Sequence, residues 1–194
     1  MQGNSITNSD FSFGKTIIEG VWVVTPFVRY DERGCFVKDY NEAVFQDKGF
    51  DFPLRETFYS FSVKNTIRGL HFQREKQMAK LVSCLTGRIF DVAVDLRAGS
   101  PTFARVFSLE LSEENKLSLL IPEGCAHGFM AVSDAIVAYK CSEIFYPEYD
   151  DGIRWDDPEL DVQWPVEAGS DVIVSEKDSG LQTLRSFIDK YKSL

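Results

Sequence analysis

The segment AKLVSCLTGRIFDVAVDL, residues 79–96, holds two strand-like apolar runs on either side of a Thr-Gly turn. The second run mixes polar with apolar residues, among them Arg88, Ile89, Asp91, Val92 and Asp95, and we interpret it as a strand of alternating character. Similar short runs recur before and after this segment, with turn residues between them. Many short strands at such spacing predict an all-β protein, built as an antiparallel sandwich or barrel.

Two segments instead have helical character. Residues 40–50 predict a short helix near 41–48, with Asn41 as its N-cap and Gly49 just past its end. Near the C-terminus an apolar stripe at helical spacing predicts an amphipathic helix over about 180–193, packed on the β-structure. Such stripes usually face a core, so we assign this helix no binding role. The stripe consists of Leu181, Leu184, Phe187, Ile188 and Tyr191.

Composition limits the function further. The chain has 194 residues, 44% of them hydrophobic, and shows no repeat or linker, so we interpret residues 1–194 as one domain. A net charge of −9 argues against nucleic-acid binding. No apolar run approaches a membrane span and no signal-peptide pattern is present, which predicts a cytoplasmic protein with reduced cysteines.

The chemistry centres on two histidines, His71 and His127. They are far apart in sequence, and Arg68 and Lys80 near His71 would oppose a cation, so we expect no metal. Cations nearby favour a neutral imidazole that can accept a proton, and they can stabilise an oxyanion. Proton abstraction beside a carbonyl fits this set, but so does a buried core histidine. Spacing alone likewise leaves Tyr139 open as a general acid or a half-buried strand residue.

Six segments together resemble the dTDP-4-dehydrorhamnose 3,5-epimerase family. They are IRGLHFQ (67–73), AKLVSCLTGRIFDVAVDLRAGSPTF (79–103), IPEGCAHGFMAVSD (121–134), AYK (138–140), GIRWDDPELDVQWP (152–165) and VSEKD (174–178). The resemblance runs over about 20–178, which implies that the core of the domain lies there, and it implies a cupin jelly roll and a homodimer that exchanges an N-terminal strand. It also implies a metal-free and cofactor-independent enzyme that epimerises a nucleotide-diphosphate 4-keto-6-deoxy sugar at C3, C5 or both.

The resemblance also implies roles for individual residues. His71 matches the catalytic base, Asp178 the acid that orients it, Tyr139 the proton donor on the opposite sugar face, and Lys80 a cation at the C4 oxygen. The residues implied in substrate binding are Arg33, Lys38, Glu56, Phe58, Arg68, His127, Phe145, Asp150 and Lys177.

Several binding positions depart from the family pattern. Lys38 stands at a usually acidic position, Glu56 and Phe58 replace Gln and Asn, Phe145 replaces a stacking Tyr, and Asp150 replaces Glu. The departures fit either an altered sugar or nucleotide, or drift within an ordinary rhamnose-pathway enzyme. A single-centre epimerase, a ketoisomerase and a sugar-nucleotide binding protein without turnover remain alternatives.

Overall fold

The computed structural model describes residues 11–194 and contains two antiparallel sheets and a separate hairpin. The six-stranded sheet contains, in spatial order, β1 (Ser12–Lys15), β2 (Trp22–Thr25), β10 (Ser118–Ile121), β7 (Lys80–Thr86), β12 (Ala135–Cys141) and β5 (Glu56–Ser62). The five-stranded sheet contains β13 (Asp150–Gly152), β6 (Ile67–Gln73), β11 (Cys125–Ala131), β8 (Arg88–Asp95) and β9 (Val106–Ser112). The hairpin joins β3 (Phe27–Asp31) to β4 (Gly34–Lys38).

The main core lies between the two sheets. Val82 and Val137 of the larger sheet belong to one buried cluster with Ile89 and Phe129 of the smaller sheet. Along β12 every second side chain is buried, which places Tyr139 in the row that points between the sheets. The sandwich of two packed sheets confirms the jelly-roll architecture predicted from the sequence.

Strand β8 differs from the alternation expected of it, because both of its faces are covered. Ile89 belongs to the core between the sheets, whereas Val92 and Val94 belong to a second core on the outer side. Asp91 therefore does not face solvent, as a polar residue in a half-buried strand would. Its side chain is fully buried in the row that faces the other sheet.

Helix α1 (Glu42–Asp47) confirms the first predicted helix. The Asn41 side chain accepts a hydrogen bond from the Val44 amide at 3.2 Å, as an N-cap does. The chain leaves the helix at Lys48, and Gly49 follows with a positive φ of 83°.

The C-terminal helix, α3 (Leu184–Tyr191), is shorter than predicted. It begins at Leu184 because the Thr183 hydroxyl caps the Ser186 amide, and residues 180–183 lie outside the helix. Leu184 and Phe187 pack into the outer core beside Leu70, which agrees with a stripe that seals a core. No helix in residues 11–194 has the length and apolar character needed to span a bilayer.

A further short helix, α2 (Glu176–Ser179), was not predicted. The Ser175 hydroxyl caps the N-terminus of α2 by accepting a hydrogen bond from the Asp178 amide at 3.1 Å. Helix α2 thereby brings Asp178 beside β6, where the candidate site lies.

Candidate active site

One cavity of about 560 Å³ opens between the sheets. Strands β5, β6, β7, β11 and β12 and helix α2 all contribute to its walls. Its charged and polar lining residues are Glu56, Ser60, Arg68, His71, Gln73, Lys80, His127, Tyr139, Asp150, Ser175, Lys177 and Asp178, and its apolar ones include Phe58 and Phe145.

The His71 imidazole is paired with a buried carboxylate. Its Nε2 lies 2.8 Å from Oδ1 of Asp178, and Oδ2 of Asp178 accepts a hydrogen bond from the Gly69 amide at 3.0 Å. Burial opposes ionisation of Asp178, but the hydrogen bonds from His71 and Gly69 outweigh it and hold the pKa of this carboxyl below its ordinary value. An ionised carboxylate only accepts, so Nε2 of His71 carries the proton and Nδ1 is left for proton transfer.

Gly69 is required where β6 passes β11. A Cβ at this position would lie 2.6 Å from the Gly128 Cα and 2.7 Å from the His127 carbonyl oxygen, and the φ of Gly69 is 113°. The pairing of β6 with β11 shifts register at the same place. Close approach of the two backbones therefore places the Gly69 amide where it can hold Asp178.

Lys80 enters the cavity from the start of β7. Its Nζ lies 3.5 Å from the His71 carbonyl oxygen, which puts an ammonium group beside the strand that carries the imidazole. Burial lowers the pKa of Lys80, and the nearby Cys141, Asp150 and Asp91 partly oppose that change. A partly buried ammonium of this kind is suited to stabilising developing negative charge.

Tyr139 is held between two rings. Phe58, its direct cross-strand partner on β5, stacks on it with ring centroids 4.6 Å apart, and His127 meets it edge-on at 5.9 Å. Burial raises the pKa of Tyr139, Asp91 raises it further, and the Ser60 hydroxyl and Arg68 act in the opposite direction. The phenol consequently keeps its proton across the ordinary pH range and can act as a proton donor.

Asp91 is a site residue that sequence reasoning missed. Its Oδ1 lies 2.7 Å from Nε2 of His127, and both side chains are buried. The signal that could have found it is a carboxylate in the inward row of β8, between Ile89 and Ala93.

Most of the other predicted binding residues also line the cavity. Arg68 donates to the Ser62 hydroxyl at 2.9 Å, and Oε2 of Glu56 accepts from the Phe145 amide at 3.0 Å. At the same cavity wall, Lys177 of α2 forms an ion pair with Asp150.

Arg33 and Lys38 lie elsewhere, on the β3–β4 hairpin, and do not line this cavity. Arg33 forms an ion pair with Asp31 and its side chain is 83% exposed. The structure therefore separates the two hairpin residues from the binding residues carried by the sandwich.

Metal-ligating side chains are dispersed in the described part of the chain. Across residues 11–194 no three His, Cys, Asp or Glu side chains come close enough together to hold one ion. All four cysteines are free thiols, and Cys84, Cys125 and Cys141 are buried.

The fold and the cavity together define a class of protein. A jelly roll that places a carboxylate-paired imidazole, a partly buried ammonium and a buried phenol around one sugar-sized cavity is arranged for acid–base chemistry beside a carbonyl group.

Comparison with known proteins identifies the family. The family model for dTDP-4-dehydrorhamnose 3,5-epimerase matches residues 15–186, and the chain belongs to this family of cupin jelly-roll epimerases. Two relatives are named dTDP-4-dehydrorhamnose 3,5-epimerase. The one from Methanothermobacter thermautotrophicus is 49% identical to this chain, over 91% of this chain and 96% of the relative. The one from Escherichia coli is 42% identical, over 90% of this chain and 95% of the relative.

Solved structures show the same similarity in three dimensions. The RmlC epimerase of Legionella pneumophila, crystallised with dTDP-4-keto-L-rhamnose, superposes with a TM-score of 0.87 at 38% identity, over 90% of this chain and 93% of that one. ChmJ, a 3'-monoepimerase from Streptomyces bikiniensis crystallised with dTDP-quinovose, superposes with a TM-score of 0.83 at 29% identity, over 90% and 88%.

Proposed function

We propose that this epimerase inverts C3 and C5 of a dTDP-linked 4-keto-6-deoxy sugar by removing and returning protons next to the C4 carbonyl. The observation that carries the proposal is that His71, Asp178, Lys80 and Tyr139 all line the same cavity. Removal and return of a proton changes no oxidation state, so the reaction needs no electron acceptor.

His71 is the general base in this proposal. The 4-keto group acidifies the hydrogens on C3 and C5, and Nδ1 of His71 removes one of them. Asp178 holds the ring through Nε2 at 2.8 Å and stabilises the imidazolium that forms. The imidazolium then loses its proton to solvent and the base is restored.

Lys80 stabilises the intermediate. The electron pair left on carbon delocalises into the carbonyl, and negative charge develops on the C4 oxygen as the enolate forms. A partly buried ammonium group acts on that charge through a medium of lower dielectric than water, where its stabilisation exceeds that in water.

Tyr139 completes the inversion. Its phenol donates a proton to the carbon from the face opposite His71, and the resulting tyrosinate regains a proton from solvent. Two proton carriers on opposite faces invert the centre, whereas His71 alone would return the proton to the face it left.

Deuterium uptake tests the proposal. We expect the enzyme in D₂O to incorporate deuterium at both C3 and C5 of dTDP-4-dehydro-6-deoxyglucose, read by NMR. Label at one carbon only would make the enzyme a single-centre epimerase, the activity that the description of ChmJ gives for that neighbour. Binding of the sugar nucleotide without any label would contradict the proposed reaction.

The nucleotide is tested in the same assay. Glu56, Phe58 and Phe145 line the cavity and give it one carboxylate and two aromatic faces. We expect the thymidine-linked sugar to react in preference to its cytidine- and guanosine-linked counterparts. A preference for either counterpart would assign the departures at these positions to altered nucleotide specificity.

We also propose a homodimer. Apolar side chains are exposed on the hairpin and on edge strand β5, among them Tyr30 (71%), Phe36 (58%), Tyr59 (73%) and Phe61 (58%). Exposed apolar rows of this kind are suited to pairing with a second copy of the chain.

The cytoplasmic location of the protein stays a prediction.

A further inference from the structure

Two fully buried carboxylates on β8, Asp91 and Asp95, have contrasting surroundings. The Asp95 side chain accepts hydrogen bonds from Arg97, Ser100 and Thr102, at 2.5 to 2.9 Å. These partners outweigh burial and hold the pKa of Asp95 well below its ordinary value. Asp95 thus anchors the loop that follows β8, and its surroundings account for it structurally.

Asp91 lacks such an explanation. Its Oδ1 contacts Nε2 of His127 at 2.7 Å, but Oδ2 has no hydrogen-bond partner among residues 11–194. A buried carboxylate oxygen without a partner costs folding free energy. The stability of the fold therefore does not explain this side chain, and a role in the adjoining cavity does.

A short chain of contacts links Asp91 to the cavity. On β11, Phe129 is the direct cross-strand partner of Asp91, and His127 lies two residues away on the same face. The His127 ring lines the cavity and meets the Tyr139 ring edge-on at 5.9 Å. Since Nε2 of His127 is engaged by Asp91, Nδ1 is the nitrogen left to accept a hydrogen bond from a substrate hydroxyl.

We propose that Asp91 is a positioning residue of this active site: a buried anion that fixes the His127 ring and stabilises the proton-carrying groups of the opposite sheet. The catalytic role inferred for Asp91 rests on the proposed function. Asp91 acts through other side chains and does not itself line the cavity.

Titratable groups on three neighbouring strands face this anion. They are His127 on β11, Tyr139 on β12, and Lys80 and Cys84 on β7. Burial alone would lower the pKa of Lys80, and Asp91 is one of the groups that oppose this. Burial and Asp91 act together to raise the pKa of Tyr139. One buried charge thus favours the protonated form of both the ammonium and the phenol.

The Asp91→Asn variant tests the proposal, because it removes the negative charge of the side chain and keeps its shape. In Asp91→Asn we expect the Lys80 ammonium, followed by ¹³Cε NMR and assigned with Lys80→Arg, to titrate about half a pH unit or more below its wild-type value. The alkaline limb of kcat for deuterium uptake should move down by a similar amount, with KM little changed. Asp95→Asn is the control, because it also removes a buried charge from β8; it should melt at a lower temperature but leave both titrations in place.

A second measurement needs no variant. The chain has only two histidines, so ¹⁵N spectra of the wild-type protein resolve both rings. We expect the His127 ring to carry a proton on Nε2, the nitrogen that contacts Asp91. An Nδ1–H tautomer, or a Lys80 titration unmoved in Asp91→Asn, would overturn the inference. Both spectra are recorded without substrate, so a wild-type enzyme that takes up no deuterium contradicts the proposed reaction and leaves the result for Asp91 readable.

Discussion

The burial of Lys80 has a direct consequence for pH dependence. Burial lowers the pKa of this ammonium below its ordinary 10.5, whereas burial and Asp91 raise the pKa of Tyr139. The ammonium exists below its pKa and is lost above it, so Lys80 and not Tyr139 sets the alkaline limb. We predict that kcat for deuterium uptake falls as pH rises, with a midpoint below 10.5.

Lys80→Arg is the matched variant for that limb. A guanidinium stays charged at any accessible pH, so we expect a lower rate without the alkaline decline. A variant that keeps the wild-type decline would assign the limb to a group other than Lys80.

Individual site residues could be predicted only in part. The residues around His71 left a general base and a core histidine equally open, and the resemblance to a family suggested the roles of Tyr139 and Asp178. Asp91 was missed because alternation assigns a polar strand residue to the solvent face, and a strand covered on both faces breaks that rule. Whether a carboxylate is buried depends on the second sheet, which local sequence does not specify.

At the scale of elements, the cap of α2 is tied to the catalytic pair. The Ser175 hydroxyl accepts from the Asp178 amide at 3.1 Å, and Asp178 holds His71. We predict that Ser175→Ala lowers unfolding free energy by about 1 kcal/mol. It should also lower kcat by about tenfold, because a displaced carboxylate leaves the base misoriented.

Thr183→Ala is the control for that prediction. Thr183 caps α3 through the Ser186 amide at the same distance of 3.1 Å, but it does not line the cavity. We expect a similar loss of stability in urea unfolding, with kcat unchanged. Equal losses of kcat in the two variants would mean that the α2 cap has no specific link to catalysis.

Elements with strong local signals were predicted well. Helix α1 has both its cap and its terminal glycine in sequence, and the jelly-roll strands have turn residues between them. The boundaries of α3 shifted because Thr183, within the expected helix, caps a later start. The short elements α2 and β13 were missed, since β13 is held by pairing with β6 and α2 by contacts with that strand, and each has too few residues for a periodic signal.

At the scale of the whole molecule, the position of the hairpin bears on the proposed dimer. Arg33 lies outside the cavity of its own chain, although the family resemblance implies nucleotide binding. In the proposed homodimer, the hairpin of one copy would reach the cavity of the other. We predict that Arg33→Ala raises KM, and that His71→Ala abolishes turnover.

Mixing these two variants tests that arrangement. Random exchange of subunits makes half of the dimers mixed, and one of the two sites in each mixed dimer then has both wild-type residues. We expect about a quarter of all sites in the mixture to regain wild-type kcat/KM. If sedimentation shows exchanged dimers but no activity returns, the two residues belong to the same chain's site; a monomer would contradict the dimer itself.

In the proposed mechanism the His71 imidazole and the Tyr139 phenol act on opposite faces of one sugar ring, and the Tyr139→Phe variant separates their roles. The measurement compares deuterium uptake with inversion at C3 and C5 by NMR, for this variant and for His71→Ala. We predict that His71→Ala loses both processes, and that Tyr139→Phe loses inversion by about 100-fold or more while still exchanging deuterium with retention. Exchange that survives in His71→Ala would rule out His71 as the base, and inversion at the wild-type rate in Tyr139→Phe would rule out Tyr139 as the proton donor.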